Sequence, residues 1–366
     1  MKYPFLIFLA ISFSSILKSQ DYRYDAVDNK MFGIPTQETN STISIARFIR
    51  TNFKTDAEKF RGIYTWVTRN IKYDTDSMYS INWSRGGEAK ITDALRRRKG
   101  VCENFAAIFN DIANKSGLIS FVVDGYTKQS GRPDRSGHSW CAVNLNGEWL
   151  LCDPTWDKDA QTNYNYFLVS PATIIESHMP YDPMWQLLNY PYTHKEFYQG
   201  YRGSVKGMDF FNFADSIKAY SKLDDVKRFE AKVLRMKNAG LPNEMVNNHL
   251  DYTNMKISIF YENNDMNFYN GAVADFNNAV AVFNKFIQHR NDPLVLAGAD
   301  KGLIDSLNHV TASINSAYQK IEEIGKVVPN HQYDPALLRS RLDALKIKVE
   351  EQKVFLRKYN LTSGSY

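Results

Sequence analysis

The amino-acid sequence predicts an α+β domain followed by an all-α helical bundle. Helical patterns are followed by strand patterns in roughly the first two hundred residues, an Asn-Gly pair at 146–147 marks a hairpin, and heptad-spaced apolar residues fill the remainder. The chain has 366 residues, 43% of them hydrophobic, which is enough for two domains of ordinary size. We therefore predict three segments: a leader at 1–19, an α+β domain at 20–205 and a helical bundle at 206–366.

The first twenty residues, MKYPFLIFLAISFSSILKSQ, have the pattern of a secretory signal peptide. Lys2 precedes an apolar run from Pro4 to Leu17, and a short polar segment follows. The run is too short to serve as a membrane anchor, and a buried N-terminal strand or helix is the alternative interpretation. We expect removal of residues 1–19, a secreted or periplasmic mature protein, and no transmembrane segment in it.

Charge and cysteine content exclude two classes of protein. Removal of the leader takes away Lys2 and Lys18 and lowers the formal charge from +5 to +3, which is too small to indicate nucleic-acid binding. Three cysteines are too few for a disulfide framework, and their odd number leaves at least one thiol unpaired.

The region before the hairpin mixes helices, loops and one strand. Its helices show apolar residues at a helical period, and glycines interrupt or end them. The predicted elements are, in order, a helix through 60–71, a loop at 75–89, a short helix at 92–98 with Thr92 as its N-cap, a helix beginning at Cys102, a strand at 119–128 and a mobile loop at 129–137.

Residues 137–157, GHSWCAVNLNGEWLLCDPTWD, are predicted to form a hairpin that turns at Asn146 and Gly147. Side chains alternate between the two faces of a strand, so the hairpin divides its reactive residues into two sets. One face carries His138, Trp140, Asp153 and Thr155, and the other carries Cys141, Val143, Leu150 and Cys152.

Three residues of this region form a candidate nucleophile, base and orienting carboxylate. His138 and Asp153 are diagonal neighbours on one face, at a separation that an imidazole and a carboxylate can bridge. Cys102 stands at the start of a helix that we expect to lie against the hairpin, where unpaired N–H groups and the helix dipole favour a thiolate. A zinc site of Cys102, His138, Cys141 and Cys152 is the alternative, but strand alternation splits those ligands between two faces, so we predict no metal.

Beyond about residue 210 the pattern is helical. Apolar residues step by three and four in several stretches, which predicts four or five helices separated by Pro, Gly and Asn and packed as an antiparallel bundle. We find no candidate catalytic residue there, but its stripes could pair with helices of a protein partner.

The motifs resemble those of the transglutaminase-like cysteine-enzyme superfamily. The stretches GVCENFAAIF, VVDGY and GHSWCAVNLNGEWLLCDPTWD follow that family's order of G-x-C, H-x-W and D-P-T-W. The later stretch NYFLVSPATIIESHMPYDPMWQLL is similar to the kyphoscoliosis-peptidase branch, which includes secreted bacterial members. The resemblance covers about residues 55–200.

The resemblance implies a papain-like fold in which Cys102 is the nucleophile, His138 the general base and acid, and Asp153 the orienting residue. It implies no cofactor, and the calcium sites of animal crosslinking enzymes are not recognisable. The backbone amide of Cys102 is the expected oxyanion donor, with Trp83 or Tyr73 as helpers and Trp140 as a site-lining residue.

The leading hypothesis is an exported peptidase or amidase that acts on a protein or peptide substrate through a Cys102 thioester. The alternatives are a protein-glutamine γ-glutamyltransferase that crosslinks proteins and a non-catalytic interaction module built on the same fold. Cys141 and Cys152 face each other across the hairpin and could form a structural disulfide after export.

Overall fold

The computed structural model describes residues 24–77, 87–240, 243–292, 300–325 and 333–363. The predicted signal peptide and Trp83 lie outside these residues. Contacts between residues divide the chain into two compact units, with the division between Thr253 and Asn254.

The first unit begins with three helices that build one side of its core. A capping box closes the start of the third, in which the Thr55 hydroxyl accepts from the Glu58 N–H and the Glu58 carboxylate accepts from the Thr55 N–H. The apolar period predicted from Phe60 onward is buried in that helix. The helices are α1 (Asp25–Phe32), α2 (Thr42–Asn52) and α3 (Asp56–Asn70).

Two further helices follow, joined by very short strands. The helix predicted from Thr92 begins instead at Gly87, because the residues between them favour helix and Glu88 lies in the first turn, where the dipole favours an acid. The elements are β1 (Lys72–Tyr73), α4 (Gly87–Arg97), β2 (Lys99–Gly100), which pairs in parallel with β1, and α5 (Cys102–Lys115).

A four-stranded antiparallel sheet forms the β part of the unit. Its strands are β3 (Ile119–Gln129), β4 (Arg132–Leu145), β5 (Glu148–Cys152) and β6 (His178–Pro180), in the order β5-β4-β3-β6. Asn146 and Gly147 turn the hairpin with φ of 54° and 93°, and Cys141 pairs with Cys152, as predicted. The loop predicted at 129–137 is mostly strand, since β4 already pairs Arg132 with Gln129.

Helix α5 lies against the hairpin, as predicted, and it covers the face that carries the two cysteines. The Cys141 thiol donates to the Ala106 carbonyl of α5 at 3.3 Å, and Phe105 and Phe109 are buried in the same cluster. The opposite face, with Trp140, packs against Trp185 and other residues that follow the sheet. The α+β class of this unit is confirmed.

The helices that follow the sheet also belong to the first unit. Ion pairs join the last of these helices to the sheet region, with Lys232 Nζ 3.1 Å from Asp124 Oδ2 and Arg235 Nη2 2.7 Å from Asp182 Oδ2. Contacts therefore divide the chain later than the domain start predicted at 206. The helices are α6 (Pro171–Ile174), α7 (His194–Gln199), α8 (Phe213–Tyr220) and α9 (Asp225–Ala239).

The rest of the described chain is helical, as predicted. Helix α10 (Glu244–Arg290) is continuous where separate helices were predicted, because interior Asn and Gly residues such as Gly271 each cost a helix only about 0.5–1 kcal/mol. Helices α11 (Asp300–Glu322) and α12 (Pro335–Ser363) share an apolar core with the later part of α10. Among the described helices, none is long and apolar enough to cross a membrane.

Candidate active site

Cys102 occupies the first position of α5, and only Val101 separates it from β2. Asn104 anchors this turn, since its Oδ1 accepts from the Val101 N–H at 3.0 Å and its own N–H donates to the Val101 carbonyl at 2.8 Å. A side chain at Gly100 would lie only 2.6 Å from Asn104 Cβ, so the close approach requires glycine. The Cys102 thiol is half-buried at a helix start, where the backbone N–H groups have no partners within the helix.

His138 and Asp153 are in direct contact. His138 Nε2 lies 2.7 Å from Asp153 Oδ2, which is the diagonal contact expected from the hairpin. Asp153 is fully buried, and its Oδ1 accepts from the backbone N–H groups of Thr155 at 2.8 Å and Trp156 at 3.4 Å. The carboxylate is therefore held at both oxygens.

The electrostatics of this pair favour an ion pair. Burial alone would raise the pKa of Asp153, but the charge of His138 and hydrogen bonds from His138 and His178 outweigh burial and hold that pKa well below its usual range. Burial likewise opposes protonation of His138, but the Asp153 charge and the hydrogen bonds with Asp153 and Cys102 raise the pKa of His138 to about 10.

The ionised state of Asp153 fixes the tautomer of His138. An ionised carboxylate only accepts hydrogen bonds, so Nε2 of His138 must carry the proton in the 2.7 Å contact. Its other ring nitrogen, Nδ1, is then the one left to interact with Cys102, which also raises the pKa of His138. The imidazole thus stands between thiol and carboxylate, as proton transfer to and from the sulfur requires.

A second histidine, His178, meets the same carboxylate and was missed in the sequence analysis. Its Nε2 lies 3.1 Å from Asp153 Oδ2, and its ring is almost fully buried on β6. The only sequence signal was the presence of a histidine in the family-like segment, which does not reveal a contact with Asp153.

His138, Asp153 and His178 are close enough together to hold a metal ion, with their ligand atoms within 4.8 Å of one another. Both histidines, however, direct Nε2 at Asp153 Oδ2 at hydrogen-bonding distance, and an ionised carboxylate requires a proton on each of those nitrogens. We therefore interpret the cluster as hydrogen-bonded.

The other predicted site residues lie around this cluster. Tyr73 pairs with Gly100 on the strands next to Cys102. Trp140 is fully buried and stacks on His138 with ring centroids 6.0 Å apart, and it occupies space that a side chain at Gly125 would fill. Trp140 thus supports the His138 ring from within the core.

Cys141 and Cys152 lie on the opposite face as buried, unpaired thiols, and no disulfide joins them in the structure. Cys152 Sγ accepts from the Leu168 N–H at 3.4 Å. Burial raises the pKa of Cys152 to about 12 and that of Cys141 well above its ordinary value. Neither thiol is placed or ionised as a nucleophile.

Comparison with known proteins identifies the family of this segment. Residues 43–154 match the model of the transglutaminase-like superfamily. Over 158 residues the chain is 34% identical to kyphoscoliosis peptidase of Mus musculus, covering 39% of this chain and 23% of that protein. It is 25% identical over 202 residues to hillarin of Drosophila melanogaster, covering 48% of this chain and 24% of hillarin.

The chain therefore contains a transglutaminase-like superfamily domain that is homologous to part of kyphoscoliosis peptidase, and the predicted transglutaminase-like core is confirmed. It spans about a quarter of the length of these relatives. A crystal structure of a TGase is 16% identical with a TM-score of 0.25, covering 40% of this chain and 37% of that one, and a likeness this low supports no argument.

Proposed function

We propose that this chain, through its transglutaminase-like domain, is a thiol-dependent acyl-transfer enzyme with Cys102 as nucleophile, His138 as base and acid, and Asp153 as orienting residue. The observation that carries the proposal is the position of His138, whose Nε2 lies 2.7 Å from Asp153 Oδ2 and whose pKa is raised by Asp153 and also by Cys102.

The reaction begins with attack of the Cys102 thiolate on an amide carbon. The tetrahedral oxyanion is stabilised by the backbone N–H at the start of α5, where helix N–H groups have no intrahelical partner. The protonated Nδ1 of His138 then gives its proton to the leaving amine, the C–N bond breaks, and a Cys102 thioester remains. In the second step neutral Nδ1 accepts a proton from the attacking water or amine, and the thiolate leaves.

We propose hydrolysis as the second step, which makes the protein a peptidase or amidase. Water attacks by default because transfer to an amine needs a site dry enough for the amine to compete. Crosslinking of glutamine side chains to amines is the alternative outcome of the same thioester. Only a crosslinking enzyme would incorporate an added primary amine into its product.

The test uses the purified protein, a Cys102→Ala variant, peptide and glutamine-amide substrates, and iodoacetamide. We expect iodoacetamide to label Cys102 selectively and faster than an ordinary thiol, and turnover to be lost in Cys102→Ala by roughly 10³-fold or more. Glutathione is the reference thiol. Labelling of Cys102 no faster than glutathione, without turnover, would favour the non-catalytic interaction module.

We further propose that the protein is exported, because residues 1–19 have the pattern of a signal peptide. Determination of the N-terminus of the mature protein tests this. An intact Met1 in the mature protein would contradict it.

A further inference from the structure

We propose that His178 is a positioning residue of the active site, donating a hydrogen bond from Nε2 to Asp153 Oδ2 that holds this oxygen against His138. The inference rests on the proposed function, which assigns no role to His178.

The direction of the hydrogen bond follows from the carboxylate. The two histidine Nε2 atoms lie 2.7 Å and 3.1 Å from the same oxygen of Asp153. An ionised carboxylate offers no proton, so both imidazoles must donate. The backbone N–H groups of Thr155 and Trp156 fill the other oxygen. Four donors therefore meet one buried carboxylate, which is about the number it can accept.

The protonation state of His178 is set by its surroundings. Burial lowers the pKa of His178 despite the hydrogen bond and charge of Asp153, so the ring is neutral and carries one proton. That proton is on Nε2, which leaves Nδ1 as an acceptor. Ser177 Oγ lies 2.8 Å from Nδ1 and supplies the matching donor. Ser177 thus provides a hydrogen-bond partner that is compatible with the tautomer Asp153 requires.

The packing around His178 leaves the ring little freedom. Trp140 meets it edge-on with ring centroids 5.1 Å apart, and Trp156 lies at 4.4 Å. The titratable groups that face the ring are Asp153, His138 at 5.7 Å between centroids and Tyr166 at 5.5 Å. A neutral donor here can orient Asp153 without adding a second positive charge beside His138.

The consequence for the reaction is indirect. Asp153 stabilises the protonated form of His138, and that form in turn supports the Cys102 thiolate. If Oδ2 is less well held, the His138 imidazolium is less favoured, and the Cys102 thiolate loses part of the cation that stabilises it. The rate of thiol alkylation as a function of pH therefore reports the contribution of His178.

The experiment compares the full chain with His178→Leu, His178→Gln and His194→Leu, using iodoacetamide across a pH series. We expect His178→Leu to slow labelling of Cys102 roughly 10-fold at pH 7 and to move the rise of the rate upward by about one pH unit. A glutamine amide can donate at a similar position, so His178→Gln should stay within about threefold of the natural protein.

His194 is the matched control. Like His178, it is buried and forms a side-chain hydrogen bond, but its partner is the Tyr126 hydroxyl, 2.7 Å from Nδ1, and not Asp153. His194→Leu should leave the alkylation profile unchanged. If His178→Leu and His178→Gln both behave like the natural protein, or if both slow labelling equally without moving the pH profile, the proposal is wrong.

A spectroscopic measurement distinguishes a failure of the inference from a failure of the proposed function, and it does not depend on the folding of His178→Leu. Nitrogen-15 NMR of the natural protein should give His178 as the neutral Nε2–H tautomer, and Ser177→Ala should weaken that preference. A proton on Nδ1 would overturn the inference even if Cys102 is reactive. An unreactive Cys102 with the expected tautomer would instead contradict only the proposed function.

Discussion

The two faces of the β4–β5 hairpin differ more than their sequences suggest. One face carries His138, Trp140 and, just past the end of β5, Asp153, and its histidine and carboxylate are hydrogen-bonded in a cluster that also includes His178. The other face carries Cys141 and Cys152 and belongs to the apolar core under α5. Reactive residue types occur on both faces, so position rather than residue type decides which of them can act.

The largest expected effect comes from removing the charge on the first face. Asp153→Asn should keep most of the packing but lose the stabilisation of the His138 imidazolium, and we expect turnover to fall roughly 10³-fold. The pKa of His138 should drop from about 10 toward its ordinary 6.5. Assay of acylation by a substrate identified as above measures the first effect, and NMR titration of His138 the second.

The His138–Asp153 pair also makes the stability of the protein depend on pH in a defined direction. Because the folded-state pKa of His138 lies above the unfolded value, this group contributes stability below about pH 6.5 and loses it as the pH rises through about 10. Between about pH 6.5 and pH 10, the free energy of unfolding measured in urea should fall more steeply with rising pH in the natural protein than in Asp153→Asn. Equal slopes would mean that the pair is not ionised.

On the second face, we expect a substitution to lower stability while Cys102 remains reactive. Cys141→Ala removes a fully buried sulfur and should lower the free energy of unfolding by about 1–2 kcal/mol, while labelling of Cys102 continues.

In the natural protein at pH 9, iodoacetamide should modify Cys102 alone, and all three thiols only after unfolding, since burial raises the pKa values of Cys141 and Cys152. Native labelling of Cys141 at the rate of Cys102 would remove the distinction between the faces.

The smallest effect is expected at the turn that both faces share. Gly147 has a φ of 93° and no atom within 4 Å of where a Cβ would lie, so Gly147→Ala should cost about 1 kcal/mol through backbone strain alone. Thermal unfolding measures this cost. Gly87→Ala, equally open but without positive φ, is the control and should be close to neutral. If Gly147→Ala also changed the labelling of Cys102, the turn would influence the face that carries His138 and Asp153 and not only the stability of the hairpin.

Much of the hairpin could be predicted from sequence because its signals are local. The Asn-Gly turn fixed the register, and strand alternation then separated His138 and Asp153 from the cysteines. The start of α5 at Cys102 followed from the apolar period and the glycine that precedes it.

What could not be predicted depends on contacts between distant parts of the chain. Strand β6 has only three residues and is defined by its pairing with β3, so it is too short to show an alternating pattern in the sequence. The contact of His178 with Asp153 therefore could not be predicted. Helix α9 likewise joins the first unit through Lys232 and Arg235, whose partners Asp124 and Asp182 lie far away in sequence. Tertiary ion pairs leave no periodic pattern.

The four donors around Asp153 also matter for inhibitor chemistry. Because each oxygen already accepts two hydrogen bonds, a cationic group on a small molecule would gain little by approaching this carboxylate and would have to displace a buried partner. If the proposed function holds, we expect selectivity to come instead from an electrophile that reacts with Cys102 and from an acceptor placed near Nδ1 of His138.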